Sequence, residues 1–67
     1  MFILSETFGA LAPLPIGEFE TADQAIEKAR AIGAIFIEKD ADFPGCFDAF
    51  TKHGALLTIQ PKGFKIA

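Results

Sequence analysis

The most regular hydrophobic pattern in this chain is helical. Five apolar residues recur at steps of three and four positions and mark one stripe of a helix: Ala22, Ala25, Ile26, Ala29 and Ile32. Thr21 precedes them as an N-cap residue, Gln24 follows it at the spacing of a capping box, and Gly33 is a typical stop signal. The pattern predicts one helix over residues 22–32, whose small alanines allow close packing against a sheet.

Shorter apolar stretches predict the strands. Residues 2–4 form one candidate strand. Residues 34–37 form another that is apolar at every position, which favours a strand that is central in a sheet or covered on both sides. Between them, the two prolines and two glycines of residues 9–17 predict an ordered apolar loop, leading to a short strand near residues 18–20.

A hairpin is predicted further along the chain. Residues 47–52 and 55–60 are its strands, and His53-Gly54 between them suggests a two-residue turn. In that register one face is predicted to point toward the helix, with Asp48 as a misfit among Cys46, Phe50, Leu57 and Ile59. The opposite face then holds Phe47, Ala49, Thr51, Leu56, Thr58 and Gln60.

The predicted order is β-α-β-β-β, with room for one extra short strand. It defines an α+β fold in which one helix packs on a small, mostly antiparallel sheet, and we expect residues 1–67 to form a single domain. Residues 43–46 (Phe-Pro-Gly-Cys) predict a type II turn, and Phe64 and Ile66 suggest a final edge strand. One helix covers only one side of the sheet, so the other side is predicted to face a partner. The apolar candidates for binding there are Phe36, Phe47 and Leu56.

The composition indicates a surplus of apolar surface. The 67 residues include eight Phe and are 51% hydrophobic, whereas a chain of this size buries only about 60% of the surface that its unfolded form exposes. The rings either pack into a Phe-rich core or meet a partner, which is a second copy or another protein. The single cysteine excludes an intramolecular disulfide, and no segment has the pattern of a signal peptide or a bilayer span. We therefore expect a cytoplasmic protein that does not engage a membrane.

The charge is −3 overall and unevenly distributed. Residues 1–45 carry eight carboxylates and three basic side chains. Residues 46–67 carry one carboxylate and three basic side chains. Without clustered Lys and Arg, no direct binding of nucleic acid is expected. The acidic loop after residues 34–37 differs from a calcium-binding loop, because Pro44 and Thr51 occupy ligand positions. We interpret it as a solvated loop that could also contact a partner protein through Glu38, Asp40 and Asp42.

Residue types and spacing reveal no catalytic or cofactor site. Cys46 and His53 are an odd number of positions apart, so in one extended strand they point to opposite faces, roughly 23 Å apart at about 3.3 Å per residue. One Cys and one His cannot supply a zinc site, and no glycine-rich phosphate loop precedes the helix. We expect a non-enzymatic protein without metal or cofactor.

Three functions remain after these exclusions. The favoured one is a protein-interaction module that acts through an open sheet face or an edge strand and self-associates as a homodimer. The second is an inhibitor that presents carboxylates to the basic surface of a nucleic-acid-handling protein. The third is a small-molecule binder or enzyme with a pocket at a subunit interface, supported only by Cys46 and Asp48 on one predicted face.

In size, acidity and element order the chain resembles some anti-CRISPR proteins carried by phages and mobile elements. The resemblance lies in the arrangement from Thr21-Ala22-Asp23-Gln24 through the Gly54 hairpin and involves no shared motif. It implies the second function, inhibition of a nucleic-acid-handling protein, and assigns no site residues.

Overall fold

The computed structural model describes residues 1–63, which form one helix and five strands. All neighbouring strands are antiparallel, in one sheet of order β2-β1-β5-β4-β3, and the helix connects the two edge strands. This arrangement confirms the predicted α+β class. The edge strand suggested at Phe64 and Ile66 lies outside the described residues. The elements are β1 (Phe2–Thr7), β2 (Leu14–Phe19), α1 (Ala22–Ala31), β3 (Ala34–Lys39), β4 (Phe47–Thr51) and β5 (Leu56–Pro61).

The helix α1 begins and ends at its predicted signals. The backbone N–H of Gln24 donates to Oγ1 of Thr21 (3.2 Å), while Oε1 of Gln24 accepts from the backbone N–H groups of Thr21 (3.3 Å) and Glu20 (3.0 Å). This capping box satisfies donors that the first turn leaves without helical partners. At the other end, Gly33 takes a φ of +114° after the C-cap residue Ile32, a conformation that glycine adopts without strain.

The core lies between α1 and one face of the sheet. Its largest fully buried side chains are Leu4, Leu57 and Ile59, and Ala25 and Ala29 of α1 pack in the same cluster without exposed surface. Because alanine carries nothing beyond Cβ, the helix can lie close to the central strands β1 and β5. Partly buried apolar side chains pack around this cluster: Phe2, Phe19, Ile26, Ile32, Ala34, Ile37 and Phe47.

The strand β2 corrects the prediction of a loop over residues 9–17. Leu14 already pairs with β1, opposite Glu6, and Pro15 lies opposite Ser5. Proline is tolerated because β2 is an edge strand, which needs backbone donors toward one neighbour only. A bulge at Ile16 absorbs the irregular register. The short strand predicted near residues 18–20 is therefore the end of a longer one.

The strand β3 is also placed differently from the prediction. Its apolar run favoured a central or doubly covered strand, but β3 pairs only with β4 and forms the other edge of the sheet. Ile35 is 71% exposed and Phe36 is 55% exposed. An apolar run alone does not distinguish a strand buried by its own chain from one that is left for another molecule to cover.

The hairpin of β4 and β5 has a three-residue turn instead of the predicted two-residue turn. The backbone N–H of Thr51 donates to the carbonyl oxygen of Ala55 (3.1 Å), and the N–H of Gly54 donates to the carbonyl oxygen of Thr51 (3.1 Å). Gly54 takes a φ of +85°, as this turn requires. The extra turn residue shifts the register by one, so that Phe50 lies opposite Leu56. The predicted facing of β4 was therefore wrong, while that of β5 was correct.

The loop between β3 and β4 contains the predicted type II turn. The backbone N–H of Cys46 donates to the carbonyl oxygen of Phe43 (3.1 Å), and Gly45 has a φ of +84° at the third position. Upstream, Oδ1 of Asp40 accepts from the backbone N–H groups of Asp42 (2.8 Å) and Phe43 (3.2 Å). The carboxylate of Asp40 thus organises its own loop.

Candidate interaction surface

The helix α1 packs on one face of the sheet only, and we refer to the opposite side as the uncovered face. Residues that lie opposite each other in neighbouring antiparallel strands project to the same face. The register therefore assigns side chains to each side without further assumption. The residues of the uncovered face on β1, β5, β4 and β3 are Ile3, Ser5, Thr7, Leu56, Thr58, Gln60, Asp48, Phe50, Phe36 and Glu38.

One end of the uncovered face is apolar. Phe36 lies opposite Phe50, Phe50 opposite Leu56, and Leu56 opposite Thr7, so one row crosses four strands. The rings of Phe36 and Phe50 have centroids 6.3 Å apart at an angle of 37°, within the range of favourable aromatic pairs. Both residues remain about half exposed to solvent, at 55% and 44%. We call Phe36, Phe50 and Leu56 the aromatic row.

The next row of the uncovered face is polar and acidic. Glu38 lies opposite Asp48, and Asp48 lies opposite Thr58, which in turn faces Ser5. Two carboxylates side by side on neighbouring strands repel each other and do not stabilise the isolated sheet. The acidic loop extends this charge, with Asp42 exposed at its surface. An apolar row therefore borders an acidic one on the same face.

The residues predicted to bind a partner are only partly brought together. Phe36 and Leu56 lie on the uncovered face as predicted, and Glu38 lies beside them. Phe47 was wrongly placed there, because it lies opposite Ile59 and packs against the buried cluster. Phe50, which was predicted to face the helix, is exposed instead. The signal that would have corrected both is Gly54, which fits a three-residue turn with a left-handed glycine better than a two-residue turn preceded by His.

The edges of the sheet differ in how well they are protected. β2 carries Pro15, a bulge at Ile16, and an ion pair between Oε1 of Glu18 and Nζ of Lys62 (3.0 Å). Proline, bulges and charges are the features that keep an edge strand from pairing with another chain. β3 also has a bulge, at Ile35, its most exposed apolar residue, but it contains no proline. β3 therefore lacks the proline that protects β2, and it contributes Phe36 to the aromatic row.

Cys46 is buried beside acidic groups and is poorly suited to nucleophilic chemistry. It is 5% exposed. Burial raises the pKa of its thiol, and the carboxylates of Asp40 and Asp48 raise this pKa further. His53 lies in the turn at the opposite end of β4, away from Cys46. The thiol therefore stays protonated at neutral pH and lacks a neighbouring base.

A depression lies between α1 and β2. Its volume is about 670 Å³, and it is a wide groove rather than an enclosed cavity. Its lining includes the apolar residues Met1 and Phe19 and the charged residues Glu20, Glu27 and Lys28. Within residues 1–63, no three His, Cys, Asp or Glu side chains are placed to hold a metal ion.

Comparison with known proteins yields no match. No protein-family model, curated protein sequence or solved structure matches the chain. No helix in residues 1–63 is long and apolar enough to cross a membrane.

Proposed function

We propose that this protein is a non-enzymatic protein-interaction module that acts through the uncovered face and the adjacent β3 edge. The observation that carries the proposal is the exposed pair of Phe36 and Phe50 on a face that α1 does not cover. Together the two residues expose about as much surface as one entire phenylalanine. Burying that much aromatic surface against a partner is worth roughly 2–3 kcal/mol. Phenylalanine is among the residue types that are enriched in protein interfaces relative to the rest of the surface.

The arrangement around the aromatic row has the anatomy of a binding surface. An apolar centre is bordered by the polar row of Asp48, Glu38 and Thr58, as the rim of a protein interface usually is. Phe50 lies opposite half-buried Leu56, which extends the apolar row to β5. An apolar row with a polar border supports recognition of a protein surface.

Affinity capture with matched variants tests the proposal. The immobilised wild-type protein and the double variant Phe36→Ser/Phe50→Ser are each exposed to lysate of the native host and to a tagged second copy of the chain. The control is Leu11→Ser/Leu14→Ser, which removes two side chains that are 69% and 63% exposed in and after the β1–β2 loop. Circular dichroism confirms that each variant is folded.

We expect the wild type and the control to retain the same protein, and the double variant to lose it. Loss of two aromatic contacts should weaken binding by about tenfold or more. If nothing is retained by the wild type, including the second copy, or if all three proteins retain the same partner equally well, the proposed function is wrong.

A second candidate function is inhibition of a nucleic-acid-handling protein by an acidic surface. The specific observation in its favour is the adjacent pair Glu38 and Asp48, which continues into the acidic loop with Asp42. A basic partner would relieve the repulsion between the two carboxylates and gain affinity from it. This function corresponds to the resemblance to anti-CRISPR proteins noted above.

Salt dependence separates the two candidates. Binding through carboxylates should weaken steeply between about 50 and 500 mM NaCl, because screening lengths fall to a few ångströms in this range. It should also fall in Glu38→Gln/Asp48→Asn and stay unchanged in Glu27→Gln, a carboxylate on α1. Binding that is insensitive to salt and to the amide variants contradicts the acidic function and supports the apolar one.

A further inference from the structure

We infer that the partner of the β3 edge is the β3 strand of a second copy of this chain. The two strands pair antiparallel around a two-fold axis perpendicular to the sheet, which joins two five-stranded sheets into one continuous sheet. The inference rests on the proposed function and names its partner. Four properties of the described chain lead to it.

The first property is the small size of the core. Only Leu4, Leu57 and Ile59 are large side chains that are fully buried. Small domains compensate for such cores with disulfides, a structural metal or oligomerisation. The sequence has one cysteine, and residues 1–63 contain no cluster of metal ligands. Association with another copy would bury more apolar surface.

The second property is the contrast between the edges. Pairing at β2 is opposed by Pro15, by the bulge at Ile16 and by the Glu18–Lys62 ion pair. β3 also contains a bulge, at Ile35, but has no proline among its six residues from Ala34 to Lys39. Main-chain hydrogen bonds to a further strand can form where β3 is regular, over residues 36–39.

The third property is the register that charge allows. A two-fold axis perpendicular to the sheet keeps the two uncovered faces on the same side, so Phe36 and Glu38 can lie opposite only residues of that face. Centring the pair on Glu38 would place two carboxylates opposite each other, which is unfavourable. Centring it on Phe36 places each Phe36 opposite the same residue of the second copy and keeps the two Glu38 side chains apart. Two Phe36–Phe50 pairs then merge into one cluster of four rings.

The fourth property is the area that a dimer needs. A stable interface buries roughly 800 Å² on each partner, about a sixth of the 4579 Å² accessible to this chain. A single edge strand supplies only part of that area, so neighbouring side chains must contribute. Ile35, Phe36 and Phe50 are among the most exposed apolar residues, and all three lie at this edge or on the strand beside it. The other exposed large apolar residues of the described chain lie in or beside β1 and β2, so the two-fold pairing would use part of the exposed apolar area.

Sedimentation velocity with matched lysine variants tests whether the β3 edge forms the dimer interface. Wild-type protein should sediment as a dimer at micromolar concentrations and dissociate on dilution. Ile35→Lys changes a 71% exposed residue of β3, and its control Leu14→Lys changes a 63% exposed residue of β2. Each dimer contains two copies of Ile35, and burial of each is worth about tenfold in affinity. We expect Ile35→Lys to raise the dissociation constant by about a hundredfold or more, and Leu14→Lys to leave it unchanged.

Disulfide trapping tests the register in folded protein. Residues opposite each other in antiparallel strands have Cα atoms about 4.5–5.5 Å apart, within the range that a disulfide spans. In a Cys46→Ala background, Phe36→Cys should therefore form a covalent dimer under mild oxidation, whereas Leu14→Cys should remain monomeric. Denaturing gels without reductant measure both.

The outcomes are distinct from those of the capture experiment. A strict monomer at high micromolar concentration, an unaltered dimer in Ile35→Lys, or the absence of cross-linking through Phe36→Cys each overturns the two-fold β3 pairing. If a monomer still captures another protein through Phe36 and Phe50, the dimer is wrong and the proposed function stands. A dimer that is lost in Leu14→Lys instead assigns self-association to β2 and also refutes the inference.

Discussion

Truncating two phenylalanines of β4 one at a time tests which face of this strand packs against α1. Phe47 packs against the buried cluster from a partly buried position, whereas Phe50 is 44% exposed on the other side. Replacing a buried Phe by Ala costs about 3–5 kcal/mol, so we expect roughly 2–4 kcal/mol for Phe47→Ala. Phe50 is about half exposed, so its truncation removes less buried surface. We expect Phe50→Ala to lower the free energy of unfolding by about 1 kcal/mol.

Urea unfolding followed by circular dichroism measures both costs. A domain of this length has a total stability of roughly 3–10 kcal/mol at 0.05–0.15 kcal/mol per residue, so Phe47→Ala can lie close to its unfolding midpoint in water. Phe47→Leu, expected to cost about 1 kcal/mol, keeps the comparison measurable in that case. Measurements at the lowest practical protein concentration separate the monomer from any dimer. Equal costs, or a larger cost for Phe50→Ala, would support the two-residue turn predicted from the sequence and refute the register in which Phe50 lies opposite Leu56.

Three further predictions concern the cap, a glycine and the buried thiol. Thr21→Ala removes the acceptor of the Gln24 N–H and should lower the free energy of unfolding by about 1 kcal/mol, whereas Ser at this position should retain most of it in the same urea experiment. Gly45→Ala should cost at least about 1 kcal/mol, because φ is +84° and a Cβ atom would lie 3.3 Å from Cγ of Pro61. Gly17→Ala, whose Cβ would make only ordinary contacts, should change stability much less. The folded state raises the pKa of Cys46, so the unfolded chain loses its thiol proton first. The contribution of Cys46 to stability should therefore be constant below about pH 8.5 and be lost as the pH rises above it. Urea unfolding of wild type and Cys46→Ala at several pH values should show this loss in the wild type only.

The parts of the fold that the sequence predicted are those set by local chemistry. The capping box of Thr21 and Gln24 and the turn around Gly45 depend on residues within four positions of each other. Their conformations follow from side-chain hydrogen bonds and from the freedom of glycine at positive φ. Such signals do not depend on where in the sheet an element lies.

The parts that the sequence did not predict depend on position within the sheet. Pro15 argues against a strand only where both neighbours need backbone donors, and β2 has a single neighbour. The apolar run of β3 is equally compatible with the centre of a sheet and with an edge. One additional turn residue beside Gly54 exchanged the two faces of β4, so that the candidate surface gained Phe50 and lost Phe47.

The central strand pair has a consequence for the order of folding. β1 and β5 lie side by side at the middle of the sheet, with Phe2 opposite Pro61 and the backbone N–H of Lys62 donating to the carbonyl oxygen of Met1 (2.8 Å). This pair closes a loop that contains every other element, and loop-closure entropy makes such non-local pairing slow. During translation, β1 can pair with β5 only after residues 56–61 have been synthesised. Until then Leu4 lacks Ile59, the residue that lies opposite it in the folded core.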